Sequence, residues 1–242
     1  MRYEDNTEHF DLEEMAKGEE RINVLVRFPS GKIQVEEAAE QLVNIKKRNI
    51  VEITYVRDMK AEELGKLLAF IEENQGKYAN KKQLIGMLTA NFSSITCRKT
   101  KKATEKIVKN FLITLNALEL LDANGQLTIY GKKLLRYFKM DPQKYKDYLG
   151  WLVLSKGGWM VILMELDDLY KSHYFIESKS ELLELLSEKL QHDGYIKGRW
   201  NLIDLINWLI YLDILKQWDK ITKVHQIDWK RVYELLRDKA LA

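Results

Sequence analysis

Arg98-Lys99-Thr100-Lys101-Lys102-Ala103-Thr104-Glu105-Lys106-Ile107-Val108-Lys109 decides how this chain reads. Six of its side chains are basic and only Glu105 is acidic. The same helical pattern then turns apolar at Phe111, Leu112, Leu115 and Leu118 and ends at Asn124-Gly125, a tight-turn signal. A short strand, Gln126-Leu127-Thr128-Ile129-Tyr130, is predicted next. Gly131 and a basic helix from Lys132 to Lys139 follow. The order is therefore cationic helix, turn, short strand, helix.

At 100° per residue, Thr104, Val108, Phe111, Leu115 and Leu118 form one stripe of the helix predicted over 98–121. Lys99, Lys102 and Lys106 fall on the far side, with Arg98 and Lys109 flanking. One face is expected in a core and the other at the surface. Lysine-rich faces are often merely solvated, but such faces usually intersperse both signs of charge. Here acidic residues nearly vanish, and a polyanion is the expected partner. Lysines position a protein on phosphates without reading sequence. Arg98, Thr100 and Asn110 are the side chains suited to base edges.

Working outward, Leu64, Leu67, Leu68 and Ile71 predict a helix over 60–74, closed by Asn74-Gln75-Gly76. Asn80 is the expected N-cap of a second helix over 80–90, and Asn91-Phe92-Ser93-Ser94 is expected to turn. The seven residues Leu115–Leu121 are echoed by Leu209–Leu215. The second copy is followed by a strand predicted over Lys220–Gln226 and a helix over Asp228–Leu236. It is preceded by helices predicted over 144–170 and 180–191, the first broken near Gly157-Gly158. A repeated unit is the expectation. The second third-helix, Trp200–Trp218, carries Arg199 and Lys216 at its ends and is largely apolar between. Its Trp200, Trp208, Tyr211 and Trp218 suit core packing and a partner or homodimer surface. Before residue 60, Ile22–Phe28 and Val51–Val56 read as strands and Val35–Arg48 as a helix.

The chain has 242 residues, 46% of them apolar, two prolines, a net charge of +3 and one cysteine, Cys97. That length accommodates two domains of about 100 residues. Near-balanced charge leaves local clusters to carry any argument about partners. A lone cysteine excludes an internal disulfide framework and fits a reducing compartment. No apolar run reaches the length of a membrane span, and Arg2, Glu4 and Asp5 open the chain without an apolar signal region, so a cytoplasmic location is expected.

Catalytic patterns are sparse. His9, His173, His192 and His225 lack metal-ligand spacing. Glu177-Ser178-Lys179, after Asp167 and Asp168, has the Glu-x-Lys shape of some metal-dependent nucleases, yet it reads better as a helix cap at Ser178 or Ser180. No glycine-rich phosphate loop is present. Neither a cofactor nor a metal is expected, and the chain is read as non-enzymatic.

The run Thr114–Leu135 resembles the recognition-helix end and wing of prokaryotic winged-helix DNA-binding proteins, where a leucine-rich helix, a wing and Thr-x-x-Gly-Lys-x-Leu recur. The resemblance covers residues 60–139 best. It is similar also to recognition regions of some restriction enzymes and, loosely, to winged-helix subunits of chromosome-organising complexes. It implies contacts from Arg98, Lys99, Lys102, Lys106 and Lys109 on the helix and from Gln126 or Thr128 on the wing. Lys132, Lys133, Arg136 and Lys139 are further candidates for backbone phosphates, as are Lys77, Lys81 and Lys82. The expected architecture is mainly α with short β-wings. A small N-terminal α+β appendage (1–59) precedes tandem winged-helix units over 60–140, which grips nucleic acid, and 141–242, which packs or interacts. The expected function is duplex-DNA binding, as a regulator or as the recognition subunit of a DNA-processing or defence complex. The alternatives are an assembly subunit and the recognition part of a restriction-type nuclease.

Overall fold

The polar and apolar periods above produce a mainly helical protein. The structure is a computed structural model and describes residues 53–57, 59–96, 104–172 and 176–238. The strand expected over 22–28, the helix expected over 35–48 and the cationic residues 98–103 lie outside the described residues. Nine helices run through the described part. They are α1 (Ala61–Glu73), α2 (Lys81–Thr96), α3 (Thr104–Ala117), α4 (Ile129–Met140), α5 (Pro142–Ser155), α6 (Trp159–Lys171), α7 (Lys179–His192), α8 (Ile203–Tyr211) and α9 (Trp229–Arg237). All belong to one compact unit that begins at Glu52.

Local chemistry sets most boundaries. Asn80 Oδ1 accepts from Gln83 N–H (3.0 Å) and Gln83 Oε1 from Ala79 N–H (2.7 Å), a reciprocal cap that starts α2. The turn expected at Asn91–Ser94 is instead helical. Leu84, Leu88, Phe92 and Ile95 continue one buried stripe through it. The polar side chains accommodate this by bonding back to carbonyls, Asn91 Nδ2 to Met87 O and Ser94 Oγ to Asn91 O. Burial outweighs turn propensity there. The helix expected over 144–170 divides into α5 and α6, bent by 79°. Gly158 takes φ 70, and a Cβ on Gly157 would lie 2.7 Å from Val153 O. No single helix among the described residues is long and apolar enough to cross a membrane.

The seven-residue echo follows the same backbone course twice. Glu119 and Asp213 both take left-handed φ, 56 and 61. Leu120 N–H returns to Leu115 O (2.8 Å), and Ile214 N–H to Leu209 O (2.9 Å). Antiparallel bridges join Leu121 to Leu127 and Leu215 to Ile227. Thr128 then caps α4 through Gly131 N–H, and Asp228 caps α9 through Arg231 N–H. The strand expected over 126–130 is thus corrected to a single bridge at Leu127, because α4 begins at Ile129. Likewise α3 stops at Ala117, where the left-handed Glu119 closes it. The expected strand 220–226 is a hairpin tip at 220–223, with Asp219 bridged to Val224.

The segment before α1 belongs to the helical unit. Residues 53–57 form no strand. Ile53, Val56 and Met59 are buried, and the backbone is clamped from both halves. Thr114 Oγ1 donates to Tyr55 O (3.1 Å), Trp159 Nε1 to Thr54 O (2.9 Å), Trp208 Nε1 to Met59 O (2.8 Å) and Tyr145 Oη to Ala61 O (2.8 Å). Thr54 N–H donates to Gly157 O (2.8 Å). Thr114 and Trp208 each immediately precede one copy of the echo, so each half contributes an equivalent donor. Helix α5 lies between the halves, packed on α4, α6 and α9. Lys156, just past its end, pairs with Glu119 (2.9 Å) and its Lys146 with Asp213 (3.2 Å), one clamp per left-handed turn.

Candidate nucleic-acid interface

Helix α3 is held by the face its spacing marks. Val108, Phe111, Leu112, Thr114 and Leu115 are buried, and the Phe111 ring lies 5.7 Å from that of Phe92 on α2. Lys106, Lys109, Ile113 and Ala117 face outward, and Asn110 is half-buried. Ile113 keeps 60% of its surface exposed, so the outer face is cationic toward the N-terminus and apolar beyond. Arg98, Lys99, Thr100 and Lys102 lie outside the described residues.

Of the described lysines here, Lys106 has no ion-pair partner among the described residues. Lys109 pairs with Glu105 at 2.6 Å. The hydrogen bond from Lys109, more than its charge, holds the Glu105 carboxyl below the usual carboxylate range. Both side chains are more than half exposed, and an exposed i,i+4 pair is readily exchanged for a phosphate.

The hairpin residues are largely occupied with structure. Thr128 Oγ1 donates to Glu119 O (2.5 Å) and accepts from Gly131 N–H (3.2 Å), so its hydroxyl is spent on the cap. Asp122 Oδ1 accepts from Asn124 and Gln126 N–H, and Tyr78 Oη donates to Gly125 O (3.0 Å). Gly125 sits at φ 84, and a Cβ there would lie 2.6 Å from Leu84 Cδ2. The Gln126 side chain remains half-buried at the edge. Beyond it, Lys132 and Arg136 face solvent one turn apart on α4. Lys133 turns inward, its Nζ 5.0 Å from the centre of the Tyr148 ring, and burial pulls its pKa down. Lys139 pairs with Glu72 (2.7 Å), and Lys77 donates to Asn74 Oδ1 (3.0 Å). Lys82 is exposed and Lys81 half-exposed at the start of α2.

Of the aromatic residues expected to pack or to meet a partner in the second half, Trp208 is in the core and Trp200, Tyr211 and Trp218 are half-exposed. Trp208 is 1% exposed and lies 5.7 Å from Trp159, so it offers nothing to a partner. Trp200 packs on Tyr55 at 4.5 Å, and Tyr211 lies under Lys146 (4.8 Å). Trp218 covers the imidazole of His225 at 5.3 Å. These four residues serve separate contacts.

Two arrangements were not anticipated from sequence. Tyr130, Tyr137, Tyr148 and Trp151 form an aromatic cluster between α4 and α5, with Tyr148 and Trp151 stacked at 5.6 Å. Burial pushes the Tyr148 phenol up, beyond the ordinary tyrosine range. The other is His225, fully buried in the second hairpin. Its Nδ1 lies 2.9 Å from Lys216 O, and its N–H donates to Tyr170 Oη (2.9 Å). Burial holds its pKa below the ordinary histidine value. The alternation Trp218 to His225 across Asp219 was the available signal, hidden because a strand was expected over the turn.

No three His, Cys, Asp or Glu side chains converge as a metal set among the described residues. Asp167 is paired with Lys171. Glu177 lends its N–H to the Glu181 carboxylate, and Ser178 caps α7. The Glu-x-Lys stretch therefore works as a helix start. No model of a known protein family matches the chain, and a search of curated proteins finds no match.

Proposed function

We propose that this chain is a cytoplasmic, non-enzymatic duplex-DNA-binding protein of tandem winged-helix architecture, serving as a regulator or as the recognition subunit of a larger DNA-processing or defence complex. The observation that carries this reading is the division of α3. Its stripe from Val108 to Leu115 is buried, while Lys106 and Lys109, which follow the Arg98–Lys102 run in the sequence, are left outward. A helix so divided can lie in a major groove with its N-terminal side chains toward base edges and phosphates. The repeated order of helices, left-handed turn, bridged hairpin and capped helix supports the tandem reading. Lys132 and Arg136 on α4 extend the positive surface past the hairpin. Thr128 drops out of the contact set, because its hydroxyl caps α4.

Duplex binding measured over a series of salt concentrations tests this. Replacing Lys99, Lys102 and Lys106 by glutamate should remove three counterion-releasing contacts, reducing the log–log salt slope by about 0.9 for each. Unchanged binding by the triple variant would end the proposal.

A further inference from the structure

The segment ahead of α1 is seated in the helical unit as a bound peptide would be. Residues 53–57 and 59–60 form neither helix nor strand. Ile53, Val56 and Met59, spaced every third residue, are at most 2% exposed and serve as apolar anchors. Side chains of α3, α6 and α8 hold the backbone: Thr114 on Tyr55 O, Trp159 on Thr54 O and Trp208 on Met59 O. Gly157 O takes the Thr54 N–H, and the Tyr55 ring lies 4.5 Å from that of Trp200. Each of these partners stands 59 or more positions further along the chain.

Nothing in that set of contacts requires the strap and its groove to belong to one molecule. The groove takes three apolar anchors and reads main-chain carbonyls with side-chain donors, and a second copy presents the same anchors and carbonyls. The joint between strap and helix is Lys60. It is exposed, extended at φ −88 and ψ 146, and stands at the N-cap of α1, where its N–H donates to Glu63 Oε2 (2.9 Å). Backbone rotation at such an element-terminal position redirects the preceding segment and leaves the helix whole.

We infer that the groove formed by α3, α6 and α8 accepts the strap of a second copy, so that two chains pair by exchanging residues 53–59 about Lys60. Exchange of an identical element is a low-cost route to a dimer, because every bond of the closed chain is repeated and only the joint differs. Within one chain the tether holds the strap at an effective concentration on the order of millimolar, so the closed form prevails in dilute solution. Pairing gains ground as protein concentration approaches that value, or when a chain cannot use its own strap. The inference is independent of the DNA-binding reading.

Two full-chain variants test this. V56D puts a charge in place of a fully buried side chain, which spoils the strap and leaves the groove. T114V/W159F/W208F removes three donors, which spoils the groove and leaves the strap. In an equal mixture the sound strap of the second variant should seat in the sound groove of the first. A strap already released is not lost twice, so the pair regains one complete site without a matching loss at the other. Light scattering should give twice the single-chain mass for the mixture and the single-chain mass for either variant alone. An isotopic label on one variant should show one chain of each kind per pair. If V56D does not fold by itself, its helical circular dichroism should return on mixing. A mixture that stays at the single-chain mass overturns the inference. So does pairing that survives when the groove variant also carries V56D, since the contact then lies elsewhere. A synthetic peptide of residues 51–60 that restores V56D, while the two variants never pair, also overturns it.

Discussion

Both hairpins are pinned by a tyrosine hydroxyl, but in opposite senses. In the first, Tyr78 donates to the carbonyl of Gly125; in the second, Tyr170 accepts from the N–H of His225. Gly125 leaves no room for a side chain, because Leu84 fills the space a Cβ would take. His225 instead fills its hairpin from within, under Trp218. The flanking turns, bridges and caps coincide residue for residue. A shared backbone frame thus tolerates two interiors, a short hairpin packed from outside and a longer one packed from inside. The second arrangement lets the hairpin extend without losing its brace.

The comparison can be broken at the equivalent donors to residues 55 and 59. Trp208→Ala should cost about 3–5 kcal/mol, a large aromatic lost from a full core. Thr114→Val removes one hydrogen bond of similar shape and should cost about 1 kcal/mol. Urea unfolding measures both, and equal effects would show that the two halves are not clamped unequally. An effect smaller than that of Trp208→Ala is expected at the caps. Gly131→Ala places a Cβ 2.3 Å from Leu120 O, and should cost about 1–3 kcal/mol as the hairpin gives way. The equivalent position in the second half is Arg231, whose guanidinium reaches Asp147 (2.5 Å); Arg231→Ala should loosen α9 from α5 without displacing its hairpin. Methyl chemical shifts of Leu127 and Ile227 would tell the two responses apart.

The buried imidazole predicts a pH dependence confined to the second hairpin. Desolvation, the largest cause, lowers the folded pKa of His225, so the unfolded chain takes up the proton first as pH falls. Its stability contribution is complete above the ordinary histidine value of about 6.5 and declines as pH drops through that value toward the lower folded pKa. Melting temperature should fall between neutral pH and pH 5, and His225→Gln should flatten the profile. An unchanged profile would show that the imidazole is not the titrating group. The smallest effect belongs to Glu105→Gln. Releasing Lys109 should leave stability unchanged and steepen the salt slope of duplex binding by at most about 0.9.

The buried side of α3 was legible because its 3.6-residue period is long and unbroken. Helices α1 and α7 were legible for the same reason, helped by Asn74 and Ser178 at their ends. The echo was legible too, since Leu115–Leu121 and Leu209–Leu215 repeat both apolar spacing and an acidic residue at the left-handed turn. Boundaries failed where long-range packing outweighed local propensity. Asn91–Ser94 looks like a turn, but Phe92 and Ile95 are needed in the core. Tyr130 looks like a strand residue, but Thr128 caps a helix that includes it. At the candidate interface, sequence separated inner from outer residues and could not tell occupied side chains from free ones. Thr128 is occupied by the cap of a helix whose start the expected strand concealed, and Lys133 and Trp208 by groups farther along the chain that no local pattern announces.

The clamp on residues 53–61 has a consequence for biosynthesis. Met59 and Trp208 are separated by 149 positions, and Thr54 waits for Gly157 and Trp159. During translation, then, the leading portion emerges from the ribosome well before the groups that fasten its backbone. Maturation of the first half is tied to completion of the second, and a nascent chain halted before residue 208 would expose Met59 and its neighbours to chaperones.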